Sequence, residues 1–433
     1  MGISNILFIL LLAAGTIFFT INLRKIIRNI NLGKDISRND NKPLRWKTMA
    51  RVALGQSKMV TRPLAGIMHI FVYVGFVIIN IEVLEIIIDG IFGTHRILSF
   101  LGGFYNFLIG SFEILALLVL FGCLVFLIRR NIGRIKRFWN REMTLWPRSD
   151  ANIILITEIL LMSAFLTMNA CDFLLQGFGA YPKAGAFPIS SIVAILFSGM
   201  SVHSLEMLEH SCWWFHIIGI IAFLNYLPYS KHFHILLAFP NVFYSNLQPK
   251  GEFTNLEAVT NEVKLMFDPN AATATPPAAP GRFGAKDVTD LTWKQLMDAY
   301  SCTECGRCTS SCPANQTGKL LSPRKIMMDT RDRLEEVGKN LDKNGVVQED
   351  GKSLLGDYIT NEELWACTSC NACVQECPVD IDPLSIIIEM RRFLVMEQSA
   401  APTGLNLMFT NVENNGAPWQ FPPSDRLNWA TEK

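Results

Sequence analysis

Eight of the eleven cysteines in this 433-residue chain fall into two copies of one run: Cys302-x-x-Cys305-x-x-Cys308-x-x-x-Cys312-Pro313 and Cys367-x-x-Cys370-x-x-Cys373-x-x-x-Cys377-Pro378. Three thiolates on one tight turn, with a fourth beside a proline, have the spacing that holds a cubane [4Fe–4S] cluster. Where two such runs occur, the fourth cysteine of each points away from its own turn and ligates the other cube. The spacing therefore assigns Cys302, Cys305, Cys308 and Cys377 to one cluster, and Cys367, Cys370, Cys373 and Cys312 to a second. Zinc is the competing chemistry, but its structural sites draw four ligands from paired C-x₂-C knuckles, which fits doubled four-cysteine runs poorly. The other three, Cys123, Cys171 and Cys212, lie in apolar segments and read as packing residues.

Imidazole is the second chemistry-bearing group. Five of the seven histidines fall between 203 and 234, in and beside apolar sequence, and ionisable groups inside a bilayer are functional candidates by default. His216 and His234 are 18 residues apart, a whole number of helical turns and about 27 Å along an axis. On one continuous helix over 212–238 they would share a stripe near opposite membrane faces. Two stacked b-type haems need such a helix, with one axial ligand per haem. His69, six residues into another apolar segment, is placed as the inner partner of His234. If the chain turns near 209–210, His203 and His216 lie equidistant from the turn and His203 becomes the outer partner, with His210 and the loop residue His95 as alternatives. His232 would point to the other side of the helix.

The elements that position these groups divide the chain in two. Half of all residues are hydrophobic and 18% are charged, and the apolar ones concentrate before residue 245. Residues 3–22 form an uncharged run long enough to span a bilayer. Nothing basic precedes it and no small-x-small site follows, so it reads as an uncleaved anchor and not a signal peptide. Four further spans are expected near 63–88, 105–128, 151–175 and 212–238. Segment 23–62 carries eleven Lys and Arg and segment 129–148 seven, whereas loops 89–104 and 176–187 carry one each. The positive-inside rule then puts the N-terminus outside and the cysteine-rich half in the cytoplasm, where thiolates stay reduced. This predicts a multi-pass protein of a bacterial cytoplasmic membrane. The apolar part of 188–207 is too short to span and reads as an interfacial helix on the outer face. Glu82, Glu85, Glu113, Glu158 and Asp172 lie within spans, where a carboxylate can carry protons for a quinone. The net charge of +1 gives no sign of nucleic-acid binding.

The second half begins with a linker, 246–288, whose stretch 268–282 is rich in Ala, Pro and Thr. Residues 289–400 read as helices alternating with the cysteine turns. Thr292 is an N-cap. Ser322 and Pro323 open a helix that Gly338 suits as its end. Thr360 begins a capping box, and 383–397 is an apolar-rich helix. The expected fold is all-α: a five-span bundle over 1–245, then a helical two-cluster domain over 289–400. The tail, 401–433, holds Trp419 and Trp429 in Pro/Asn-rich surroundings. It reads as a docking strand for a partner protein or as a wrap on its own domain. No G-x-G-x-x-G with a ribose-binding acid, no G-x-x-x-x-G-K-[ST] and no Ser-His-Asp arrangement is present.

Trp213-Trp214-Phe215-His216 followed by Pro228-Tyr229-Ser230-Lys231-x-x-His234 resembles the last membrane helix of the nitrate reductase gamma-subunit family. It is more similar still to the cytochrome b subunits of heterodisulfide reductase-like complexes. That resemblance implies a five-span, two-haem quinone module. One position departs from it: the nitrate reductase type carries a histidine ten residues after the first one in its second span, and here Ile79 stands there. The cysteine half is similar to the alpha-helical ferredoxin of heterodisulfide reductase small subunits, and of glycerol-3-phosphate and succinate dehydrogenases. In fused relatives a Cys-Cys-Gly-type iron–sulfur domain follows a similar tail. This sequence stops at Lys433 without one, so the resemblance implies a separate Cys-Cys-Gly subunit as partner and an electron-transfer flavoprotein as donor. The expected function is that of a membrane-bound electron-transfer subunit of a heterodisulfide reductase-like quinone oxidoreductase. It would join a cytoplasmic partner, two [4Fe–4S] clusters, b haems and membrane quinone. The alternatives are a non-catalytic, membrane-anchored redox sensor and an electron-transfer subunit of a flavin dehydrogenase. A plain anchor has no use for two imidazoles on one stripe.

Overall fold

The computed structural model describes residues 2–268 and 282–431. Most of the expected linker stretch 268–282 lies outside the described residues. The first part of the chain runs through α1 (Ile3–Ile30), α2 (Lys42–Met49), α3 (Pro63–Phe92), α4 (Gly103–Asn131), α5 (Trp146–Gly177), α6 (Ser190–Val193), α7 (Val202–Tyr226) and α8 (His234–Phe243). Five helices among the described residues are long and apolar enough to cross a membrane: α1, α3, α4, α5, and α7 with its continuation to Tyr229. Their outward faces leave Ile6, Leu10, Phe104, Phe121 and Ile156 exposed, while Glu82, Glu113, Asn169 and Asp172 are buried between helices. Apolar groups outside and polar groups inside is the pattern of a bundle solvated by lipid. The chain is a membrane protein.

Sequence accounts for where these helices begin and end. Pro63 opens α3, where its missing N–H costs nothing, and Gly93 closes it at φ 72°, a conformation that favours glycine. Close packing needs small residues as well. A Cβ on Gly75 would lie 2.3 Å from a Val119 methyl of α4, and one on Gly219 2.6 Å from Leu161 of α5.

The second part runs through α9 (Glu257–Phe267), α10 (Trp293–Tyr300), α11 (Arg307–Ser311), α12 (Pro313–Gln316), α13 (Pro323–Asn344), α14 (Asn361–Trp365), α15 (Ala372–Glu376), α16 (Pro383–Met396), α17 (Thr403–Asn415) and α18 (Asn428–Thr431). The caps expected at Thr292, Ser322 and Thr360 form, each accepting a backbone N–H three residues on. The end of α13 differs from expectation. The helix runs on to Asn344, and Gly345 terminates it at φ 75°. Gly338 instead gives α1 room, because a Cβ there would fall 2.4 Å from the Asn29 amide.

Three more readings are corrected. Segment 212–238 is not one helix. It bends at Leu227–Tyr229 and Lys231–Phe233, and α8 starts afresh at His234. Pro228 removes a backbone donor at this break, and Asp150 accepts from Ser230 Oγ (2.6 Å) and Lys231 N–H (3.1 Å), fixing the bend. Segment 188–207 does not span, as expected, but its helix is shorter than the segment: 190–197 forms a short helical stretch with Ser190 and Ala194 buried, and α7 already begins at Val202. The tail is not a strand: α17 folds back through Asn411 Nδ2 to Pro418 O (3.1 Å) and Arg426 to Asn415 O, with Trp419 and Trp429 exposed.

The two parts form one packed unit. Arg324, fully buried, donates to Glu142 (2.7 Å) and to the Arg137 carbonyl (2.7 Å). Asn29 donates to Tyr300 (3.0 Å), and Asn241 to the Val379 carbonyl (2.9 Å). Thus the ends of the spans that adjoin loops 31–62 and 132–145, the loops rich in Lys and Arg, carry the cysteine domain. Gly284 closes this domain at φ 71°, with its Cα so near α16 that a Cβ would lie 2.1 Å from the Glu389 carbonyl. Gly284→Ala is expected to cost on the order of 3 kcal/mol or more, read as earlier thermal loss of cluster absorbance in the detergent-solubilised protein.

Candidate iron–sulfur and histidine centres

Each cysteine turn is built the same way. The second residue after the first cysteine, Glu304 or Ser369, and the fourth, Gly306 or Asn371, all have positive φ, at 52°, 56°, 68° and 60°. Those reversals wrap the backbone so that successive thiols face inward. A short helix follows each turn, α11 and α15, and the two pack against one another. Cys312 and Cys377 cap their ends ahead of a proline.

The structure gathers Cys302, Cys305, Cys308 and Cys377 around one cavity, whose wall also includes Arg324 and Met327. Cys312 lies within Coulomb range of Cys367 and Cys373, and Cys370 is the exposed member of that group. All eight thiols are unpaired. Backbone N–H groups already point at sulfur, Ser369 N–H to Cys367 (3.4 Å) and Ile381 N–H to Cys377 (3.3 Å). Such bonds stabilise thiolates on a cluster. Burial pushes the Cys302 and Cys373 thiols up to about 12, so their thiolates form at neutral pH only with the charge of a bound metal. The donor set fits iron–sulfur clusters.

Segment 56–62, which leads into α3, is clamped between the first cysteine turn and the end of the second cysteine run. Arg307 donates to the carbonyls of Lys58 (2.7 Å) and Met59 (3.2 Å). Lys58 pairs with Asp380 and donates to the Cys377 carbonyl (3.2 Å). His69 sits less than two turns inside the helix that starts there.

His69, His232 and His234 group together at this end of the bundle. His232 and His234 have ring centroids 5.4 Å apart, nearly perpendicular, and His69 lies within Coulomb range of both. All three residues are partly buried. His234 Nδ1 lies 3.0 Å from the Lys231 carbonyl. A carbonyl only accepts, so Nδ1 carries the proton and Nε2 keeps a free lone pair. That is the tautomer of a metal-bound imidazole. His69 Nδ1 is buried without a partner. His69 on α3 and His234 at the start of α8 would be the residues to hold a haem, one imidazole from each element.

The outer centre does not assemble as expected. His216 is buried and its Nδ1 donates to the Leu161 carbonyl (3.0 Å), leaving Nε2 free. His203, however, is exposed on the same helix. Because α7 is continuous from Val202, the two imidazoles stand about 20 Å apart along its axis and cannot face one another. His210 is exposed and pairs with Glu209 (2.6 Å). His95 stacks on Tyr181 at 4.5 Å and lies beside Asp172. Ile79, packed in the apolar core, stands where a ligand on α3 would be. Nor do His216 and His234 share a helix stripe, since the chain bends between them. The residues present do not fit a second haem.

Sequence reasoning missed a charged cluster at the junction. Glu304, inside the first cysteine turn, pairs with Lys231 and with Arg331 (2.9 Å). Burial alone would raise its carboxyl, but the Arg331 and Lys231 cations outweigh that and hold it below the usual carboxylate range. Only Glu304's place between two cysteines hinted at it.

Residues 301–381 match the 4Fe–4S dicluster domain family. Across almost the whole chain (99%), the sequence is 28% identical over 460 residues to a probable iron-sulfur-binding oxidoreductase, FadF, of Bacillus subtilis, covering 61% of that protein. It is 29% identical over 429 residues to the EtfAB:quinone oxidoreductase of Syntrophomonas wolfei, covering 92% of this chain and 56% of that one. A stretch of 119 residues is 34% identical to one polypeptide of the ferredoxin/F(420)H(2)-dependent CoB-CoM heterodisulfide reductase of Methanosarcina acetivorans, covering 27% of this chain and 60% of that polypeptide. The chain spans about three fifths of the length of the first two relatives. No solved structure matches it. It is a membrane iron–sulfur protein similar to oxidoreductases and heterodisulfide reductase subunits.

Proposed function

We propose that this chain is an electron-transfer subunit of a quinone-linked oxidoreductase, with its cysteine domain in the cytoplasm and its N-terminus outside. Cys302, Cys305, Cys308 and Cys377 hold the first [4Fe–4S] cluster, and Cys367, Cys370, Cys373 and Cys312 the second. The exposed Cys370 turn meets the soluble partner. The first cluster would take electrons from the second, and His69 and His234 would be the residues that hold a b-type haem on the membrane side of it. When bound, that haem supplies a one-electron carrier inside the membrane. The partner is a flavoprotein of the electron-transfer type or a Cys-Cys-Gly iron–sulfur protein, and the acceptor is membrane quinone.

The observation that carries this reading is the clamp of segment 56–62 between Arg307 of the first cysteine turn and Cys377, the fourth ligand assigned to the same cluster, directly ahead of His69. A clamp that ties the clusters to a helix bearing a ligand-ready imidazole suits a wire; a sensor anchor gains nothing from it. In the purified protein, dithionite is expected to reduce a b-type haem absorbance, and added menaquinone analogue to reoxidise clusters and haem together. A protein with clusters but no haem band, or one whose reduced centres ignore quinone, would refute it.

A further inference from the structure

A cavity of about 760 Å³ lies where the bundle meets the cysteine domain. α1 lines it with Asn22 and Ile26, the start of α5 with Trp146 and Asp150, and the bend after α7 with Tyr226 and Lys231. Glu304 and Arg331 close its far wall. Asn22 ends the uncharged run of α1, so the cavity sits at the level of the bilayer surface. Glu304 lies between Cys302 and Cys305, so only one turn of backbone separates the cavity from the first cluster.

We propose that this cavity binds a quinone headgroup, which receives its electrons from the first cluster. The inference rests on the quinone reading above and adds the place. The volume suits a small-molecule site. Trp146 and Tyr226 meet edge to face at 6.2 Å and give one wall an aromatic surface. Polar groups converge at the inner end: Tyr226 and Ser230 donate to Asp150, and Lys231 bridges toward Glu304.

Charge balance argues against a lipid phosphate. Lys231 and Arg331 are both paired with Glu304. Lys25 and Arg28 at the rim are both paired with Asp342. The fifth cation of the lining, the exposed Lys339, stands in a wall that also carries six carboxylates, so a phosphate would meet a net negative surface, whereas a neutral, carbonyl-bearing ring can accept from Lys339 and breaks no ion pair.

The step balances as quinone plus two electrons plus two protons giving quinol. The first cluster is oxidised by one electron twice, each time re-reduced by the flavoprotein or iron–sulfur partner. An O–H bond forms at each quinone oxygen, with protons drawn from water at the mouth, where the Glu336 side chain is 40% exposed.

A short-chain azidoquinone photolysed with the intact, cluster-loaded protein tests this. Label is expected on peptides covering 22–29, 146–150 or 226–231, suppressed about tenfold by excess unmodified quinone. Tyr226→Phe and Trp146→Leu are each expected to raise the KM for quinone about tenfold while the cluster spectra stay those of wild type. Wild-type turnover with label elsewhere, or label that competitor leaves intact, overturns the placement alone. Absence of quinone turnover in the wild type overturns the placement together with the quinone reading.

Discussion

His69→Ala and His234→Ala are each expected to lower bound haem at least about tenfold, because a bis-imidazole site loses half its axial field with either ligand. Iron in the clusters should stay at about eight atoms per protein, since neither imidazole belongs to a cluster's ligand set. His203→Ala should leave haem content unchanged, its ring being exposed at the far end of α7. The wild type should carry about one haem per chain, because the inner imidazoles come from separate, neighbouring elements, whereas His203 and His216 lie on one helix. Pyridine haemochrome assays against protein mass decide this. A stoichiometry of two, or full haem retention in His69→Ala, would show that the centre is built otherwise.

The second large effect concerns the crossed cysteines. Cys312 belongs by sequence to the first run, yet it stands among the charged neighbours of Cys367 and Cys373. Cys377 belongs to the second run and lines the cavity of Cys302, Cys305 and Cys308. Cys312→Ser should therefore lose the second cluster. Its reduced-state EPR spectrum should match that of Cys370→Ser, and iron should fall from about eight toward four. Cys377→Ser should match Cys305→Ser in the same way. It should also slow partner-driven haem reduction severely if, as proposed, the partner docks at the Cys370 turn and the first cluster lies between it and His69. If Cys312→Ser instead matched Cys305→Ser, the crossing would be wrong.

Much of this molecule is legible in its sequence because the signals are local or chemically narrow. An uncharged run of twenty residues has few fates, and four cysteines at fixed offsets before a proline demand a turn of one shape. Caps at Thr292, Ser322 and Thr360 depend on residues three apart. The errors arose where one position admits two causes. Gly338 could end a helix or let another helix approach, and the choice depended on Asn29, 309 residues away. The stripe joining His216 to His234 assumed a straight helix through Pro228, and Asp150 of another span holds the bend that breaks it.

By itself, then, the sequence determined the two cysteine turns, the five spans and the all-α character, since each follows from residue type and short-range spacing. Only the tertiary structure decided which histidines share a space. A haem ligand is defined by an imidazole on one element facing an imidazole on another, and that depends on where helices bend and how they pack. The structure brought His69 to His234, parted His203 from His216, and set the first cysteine turn and Cys377 on the segment that leads to His69.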